Sequence, residues 1–186
     1  MAQLFAVLMV IAAASSTVGA QSCAGGKLTD SIRKTIVDEH NKLRSTLALG
    51  KAQNKSSGFL PSGSNINKLS YDCNLEKETQ EWIDKCTFQH APLNGAASEN
   101  IYQAWGSDMR PETHFPKGIN MWWSELATKG FNSNDTTLTM DLANSGILHF
   151  TAVAWAKSSK VGCGFSNVCQ KNGMTVVYMA CRYTPS

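Results

Sequence analysis

Two hydrophobic periods alternate along this chain. From Thr29 to Leu49 the apolar residues Ile32, Ile36, Leu43 and Leu47 recur at helical spacing, which predicts a helix with one buried stripe. Thr29 or Asp30 can cap its start and Gly50 can end it. The stretch "CNLEKETQEWIDKC" puts Leu75, Thr79, Trp82, Ile83 and Cys86 on one face and predicts a second helix. Residues 87–116 are mixed, with a short helix expected from Ser98 to Trp105. "KGINMWWSELATKG" predicts a further helix, stopped by Gly130. Residues 51–67 and 130–146 carry the Gly, Ser, Asn and Thr of loops. Beyond them the rhythm becomes alternating, and residues 148–156, 161–168 and 174–183 read as strands. The links containing Ser158-Ser159 and Asn172-Gly173 are short enough for an antiparallel meander. Helices first and sheet last make the class α+β, helices packed on a sheet, with no internal repeat and no second domain.

Composition narrows the setting. The first 20 residues, "MAQLFAVLMVIAAASSTVGA", are uncharged and apolar and end in small residues, the form of a secretory signal peptide cut after Ala20. Its apolar core of about 11 residues is too short to span a bilayer, so a transmembrane anchor is not expected. Residues 21–186 then form one extracellular domain. The formal charge of +3 is too small and too dispersed for a nucleic-acid footprint. "SIRKTIVDEHNKLR" mixes both signs at helical spacing and reads as a solvated helix face. Six cysteines behind a signal peptide imply three disulfides in an oxidising compartment, and their spacings contain no paired CxxC knuckle of a zinc site. Cys163 with Cys181, on adjoining strands, is the expected first pair. Cys73 with Cys169 and Cys23 with Cys86 complete one of the 15 connectivities open to six cysteines. Asn54-Lys55-Ser56 and Asn134-Asp135-Thr136 are glycosylation sequons in loop-like stretches.

Four histidines carry the candidate chemistry. His40 lies on the apolar side of the first helix and reads as a core histidine with a hydrogen-bond partner. His114, in "RPETHFP", is expected exposed in a proline-flanked loop. His90 follows the second helix, and His149 heads the first expected strand. Glu99 in "SENIY" and Glu125 in "MWWSEL" stand in aromatic settings, where an ionised carboxylate needs a partner. Two imidazoles and two carboxylates could satisfy one another around a polar cavity and hold a divalent cation, with water in the open positions. Spacing alone does not establish that they converge.

Several segments together resemble the CAP superfamily of cysteine-rich secretory, insect antigen 5 and plant pathogenesis-related proteins. "HNKLRSTLALG" resembles its first-helix signature. "LSYDCNLEKETQEWIDKCTFQHA" resembles the second helix with the histidine after it. "SENIY" is similar to its GENIY element, and "HFTAVAWAKSSKVGCGFS" and "VVYMACRYTPS" are similar to its two C-terminal signatures. The "YDC" and "ALG" details are most similar to secreted venom-allergen-like proteins of parasitic nematodes. The resemblance implies an α-β-α sandwich with a three-stranded antiparallel sheet between helix layers. It places His90, Glu99, Glu125 and His149 in the family's central cavity, the histidines binding zinc or a similar ion weakly and the glutamates acting through water. His149 then becomes a cavity ligand aimed by a strand end.

There are departures from the family pattern. Ala152 stands where the family often has Gln, Leu148 where it often has Gly, Ala91 where Ser often follows the histidine, and Ser98 where GENIY has Gly. No cysteine-rich module follows in this sequence, which speaks against an ion-channel-blocking role.

Three functions remain. Lipid binding is the first expectation, since family members take sterols near the GENIY-like element and fatty acids between two helices. Tyr102 and Trp105, three residues apart, could share a face for a sterol contact. Trp122 and Trp123 are adjacent, so at least one belongs to the core. Binding of a host surface protein is the second, through loops 51–67 or 130–146. Metal-dependent hydrolysis is the least favoured, because two histidines fall short of the three ligands usual for catalytic zinc and neither a nucleophile elbow nor HExxH is present. The chain is therefore read as non-enzymatic.

Overall fold

The computed structural model describes residues 22–131 and 137–186. The expected signal peptide and the sequon at Asn134 lie outside these residues. The first helix, α1 (Asp30–Ala48), is capped by the Thr29 hydroxyl, which accepts from the Ile32 N–H, and Gly50 follows it with φ 67°. Its buried stripe is Ile32, Ile36, His40 and Leu43, with Arg33 and Arg44 beside it. The following stretch holds one short turn at Lys55–Ser57 and a bridge between Gln53 and Phe59. A two-residue strand, β1 (Ser70–Tyr71), leads into α2 (Cys73–Ile83), which the Asp72 carboxylate caps at Asn74 and Leu75.

Residues 98–104 are a strand, β2 (Ser98–Ala104), not the expected helix. Seven residues carry too little pattern to separate the two states. Pairing along the whole segment decides, from Ser98 opposite Tyr183 to Ala104 opposite Val177. The next helix, α3 (Pro111–Lys129), begins six residues earlier than expected, with Pro111 in its first turn, where a missing N–H costs nothing. Inside the expected loop 130–146 there is a short helix, α4 (Met140–Asn144).

The expected first strand is also a helix, α5 (Leu148–Ala154). Alternation concealed a second pattern. Ile147, Phe150, Thr151 and Ala154 fall at i, i+3, i+4 and i+7, and the first three are buried. Two long strands follow, β3 (Lys160–Lys171) and β4 (Met174–Thr184), joined by Asn172-Gly173. Both linking residues have positive φ, 52° and 75°, as the tight hairpin requires.

The sheet order is β1-β3-β4-β2. Three of its strands are antiparallel as expected, although β2 takes the place given to residues 148–156, and β1 adds a short parallel edge beside β3. One face of the sheet packs Val161, Cys163, Val177, Met179, Cys181 and Tyr183 against α1 and α3. The other packs Val176, Tyr178 and Ala180 against the end of α2. The result is the α-β-α sandwich of the α+β class. No described helix is long and apolar enough to cross a membrane.

The seating of α2 settles the disulfides. A Cβ on Gly162 would fall 2.4 Å from the Glu76 backbone nitrogen, and one on Gly164 2.9 Å from that of Gln80, so α2 lies directly on β3 and runs along it. Cys73 opens the helix and Cys86 lies three residues beyond its end, and the helix between them alone spans about 15 Å at 1.5 Å per residue. Cys86 therefore reaches Cys169 farther along β3, and Cys73 reaches Cys23. Both expected pairings, Cys73–Cys169 and Cys23–Cys86, are corrected. Cys163–Cys181 joins directly opposed residues of β3 and β4, as expected.

Candidate functional site

Glu99 and Arg182 face each other across the β2–β4 pair. The Glu99 side chain is 1% exposed, and its Oε2 accepts from Arg182 Nε at 2.8 Å. Its Oε1 accepts from the Ala91 N–H at 3.0 Å and from His90 Nδ1 at 3.1 Å. The carboxylate is thus neutralised and fully bonded, which is what permits its burial. A carboxylate can only accept here, so His90 carries its proton on Nδ1 and turns Nε2 outward.

A second pair has the same logic. Glu125, on α3, accepts a hydrogen bond from His149 Nδ1 at 2.6 Å and another from the Phe150 N–H at 3.1 Å. The latter is an otherwise unpaired donor in the first turn of α5, whose N-cap residue Ile147 offers no side-chain bond, so Glu125 caps that helix from outside. Trp122 lies nearly parallel to the His149 ring, with centroids 6.3 Å apart. Asn100 Nδ2 donates to the His149 carbonyl at 2.9 Å. His149 is therefore aimed by a helix start, not by a strand end.

Glu99 belongs to the first pair and its neighbour on β2, Asn100, holds the second at the His149 carbonyl, so one edge strand supports both. The four expected cavity residues come together as two His–Glu pairs. Among the described residues, no group of three or more His, Cys, Asp or Glu side chains is placed to hold a metal ion. Each imidazole is held at Nδ1 by a carboxylate, which is the arrangement that metal-ligating histidines use. As a donor set they are small.

The other histidines are internal. His40 is fully buried; its Nδ1–H donates to the Ile36 carbonyl at 2.7 Å and its Nε2 accepts from the Tyr183 hydroxyl at 2.9 Å. Burial, and then the Arg44 charge, lower its pKa to about 4. His114 is buried on α3, against the expectation of an exposed loop. Its Nε2–H donates to the Asp108 carbonyl and its Nδ1 accepts from the Tyr102 hydroxyl. Tyr102 is accordingly a core residue, 3% exposed, with its pKa raised by burial. Trp105, beyond the end of β2, is half exposed, with Lys171 over its ring. The two do not share a face, since the shared face assumed a helix.

Sequence reasoning missed two features. Arg44 is buried with no carboxylate partner among the described residues and donates to the carbonyls of Asn67, Val153, Trp155, Ala156 and Ser158. Burial lowers its pKa to about 10. It fastens the end of α5 to α1 and to the start of β3. Beside it lies a groove of about 460 Å³ whose apolar walls include Leu47, Leu60, Ile66, Phe131, Phe150 and Trp155. These residues come from four separate segments, and no local pattern announces their meeting.

A family model of the cysteine-rich secretory proteins, CAP, matches residues 37–183. Venom allergen 5 of Polistes dominula is 31% identical over 184 residues, covering 92% of this chain and 77% of the relative. Among solved structures, BmVAL-1 matches with a TM-score of 0.82 and 38% identity, over 89% of this chain and 82% of that one. NaASP2, solved with Zn2+, matches with a TM-score of 0.81 and 28% identity, over 88% of this chain and 84% of that one.

Proposed function

As this chain belongs to the cysteine-rich secretory protein family, we propose that it is a secreted, non-enzymatic binding protein that carries an apolar ligand, a fatty acid or sterol, and modulates a host in that capacity. The observation that carries this reading is the groove between the end of α1 and α5. Its volume of about 460 Å³ lies within the few hundred to a thousand Å³ usual for small-molecule sites. Its walls are aliphatic and aromatic, with the Ser62 and Ser64 segment at one side. An elongated chain with one polar end matches that lining better than a charged or strongly polar ligand. Trp105 remains the exposed aromatic for a sterol contact; Tyr102 takes no direct part.

The two His–Glu pairs favour a weak divalent cation, zinc before others, held by His90 and His149 through Nε2 with water completing the shell. A bound cation there would add positive charge and Lewis acidity. Glu99 and Glu125 are both occupied in orienting imidazoles, which leaves neither as a general base and supports the non-enzymatic reading.

The test is equilibrium binding of a fluorescent fatty acid and of a labelled sterol to the delipidated protein, alongside Ala154→Trp and Trp105→Ala. Ala154 lines the groove, so an indole there fills it. Fatty-acid binding abolished by Ala154→Trp, with folding intact, supports the groove. Binding of neither lipid to the wild type would overturn the carrier and leave recognition of a host surface protein as the family-compatible alternative.

A further inference from the structure

Asn54 heads the sequon Asn54-Lys55-Ser56, yet its side chain is already committed. It is half-buried at the start of the short turn Lys55–Ser57. Its Oδ1 accepts from the Lys55 N–H at 2.9 Å and from the Phe131 N–H at 2.8 Å. Its Nδ2 donates to the Phe131 carbonyl at 2.6 Å. One carboxamide thus pairs both polar groups of the Phe131 backbone, as a neighbouring strand would. Gly130 shows how tightly the segments meet. A Cβ there would lie 2.9 Å from Lys55 Cβ, and the backbone turns with φ 86°. Phe131 in turn lines the groove, with its ring 6.5 Å from that of Phe150.

We infer that the Asn54 carboxamide is a clamp positioning Phe131 in the groove wall, so that N-glycosylation of Asn54 and tight binding of an apolar ligand in the groove exclude one another. This rests on the groove reading above. Glycosylation forms a bond from Nδ2 to the anomeric carbon of a lipid-pyrophosphate-linked oligosaccharide. The carbon–oxygen bond to pyrophosphate breaks, and Nδ2 loses one proton. The product is a secondary amide, which prefers the trans form. That form puts the sugar carbon on the edge shared with Oδ1, the edge turned to Phe131. The donor to the Phe131 carbonyl is lost, and a pyranose ring cannot enter the space against Gly130. A chain glycosylated before folding must close with Phe131 displaced. Asn54 is thus a positioning residue whose modification state sets the shape of the binding site.

The experiment uses the protein secreted from a glycosylating host, with forms bearing and lacking a glycan on Asn54 separated and verified by mass spectrometry. Ser56→Gly removes the sequon, keeps Asn54 and suits the positive φ of 64° at that residue. Asn54→Asp keeps the accepting oxygen and removes the donor, and Asn54→Ala removes both. Binding of the fluorescent fatty acid cis-parinaric acid and amide exchange at Phe131 are measured in each. Ser56→Gly should match the unglycosylated form in both. The glycoform and Asn54→Asp should bind roughly tenfold more weakly and exchange at Phe131 roughly tenfold faster, as the loss of one buried hydrogen bond implies, and Asn54→Ala, which also loses the two bonds accepted by Oδ1, should be affected more. A glycoform that binds as tightly as Ser56→Gly, with Phe131 equally protected, overturns the inference. Phe131 protection that depends on Asn54 while no form binds the probe would keep the clamp, sink the exclusion and count against the groove reading itself. Equal protection in every form would sink the clamp whatever the probe does.

Discussion

Acidification to pH 4 should unfold this protein partly through one imidazole, His40. In the folded chain both its nitrogens are used, one donating to Ile36 and one accepting from Tyr183, with the Arg44 guanidinium near. A second proton would add buried charge and turn the accepting nitrogen into a donor aimed at a hydroxyl. The folded pKa is about 4, against about 6.5 for an unfolded histidine. Because the folded value is the lower one, the unfolded chain takes up the proton first. The stability that a neutral His40 represents is complete above pH 6.5 and is lost as pH falls toward 4. A gap of about 2.5 units corresponds to about 3 kcal/mol, a large share of the 5–15 kcal/mol typical of a domain. The assay is urea unfolding with disulfides intact, at pH steps from 7.5 to 4.5, for wild type and His40→Phe. Groups common to both cancel in the difference. The wild type should lose stability faster as pH falls, so that the two curves converge by roughly 2 kcal/mol over that range. Curves that fall in parallel would refute the reasoning, because His40 would then hold its proton equally in both states.

Three further outcomes are expected. Arg44→Met should cost about 3 kcal/mol or more, because five backbone carbonyls lose a charged donor at once. The measurement is the urea midpoint, and a loss below about 1 kcal/mol would mean that water replaces the guanidinium. Gly164→Ala should cost about 1–3 kcal/mol, read as a lowered Tm, because its Cβ would meet the Gln80 backbone rather than a yielding side chain. An unchanged Tm would show that α2 lifts freely from β3. Zinc binding measured by calorimetry should weaken in both His90→Ala and His149→Ala, because each removes one of the two proposed ligands. Zinc affinity unaltered by either substitution would place the ion elsewhere.

The sandwich was legible because its long elements carry one unambiguous period each. The stripe Ile32–Ile36–His40–Leu43 can only be a helix face, and Asn172-Gly173 between alternating runs can only be a hairpin. The short segments were not legible for the opposite reason. Seven residues at 98–104 and seven at 148–154 satisfy both templates, and tertiary partners choose between them: the β4 ladder for one, Glu125 and Arg44 for the other. The disulfides depended on the direction of α2 across β3, which two glycines record without revealing it in advance. At the candidate site, the pairing of each histidine with a carboxylate could be anticipated from residue types. The burial of His114 could not, because its partners are a backbone carbonyl and a tyrosine on another element. The groove was wholly hidden, being assembled from the end of α1, the residues after it, Phe131 and α5.

Where an apolar ligand sits decides whether the groove is the binding site. The most direct measurement is photocrosslinking of a diazirine-bearing fatty acid to the delipidated protein, with the labelled residues mapped by mass spectrometry. Label on residues 60–66 and on Phe150, Ala154 or Trp155, competed by unlabelled fatty acid, is the predicted result. Saturable label at Trp105 or around His90 instead, with those segments clean, would contradict it.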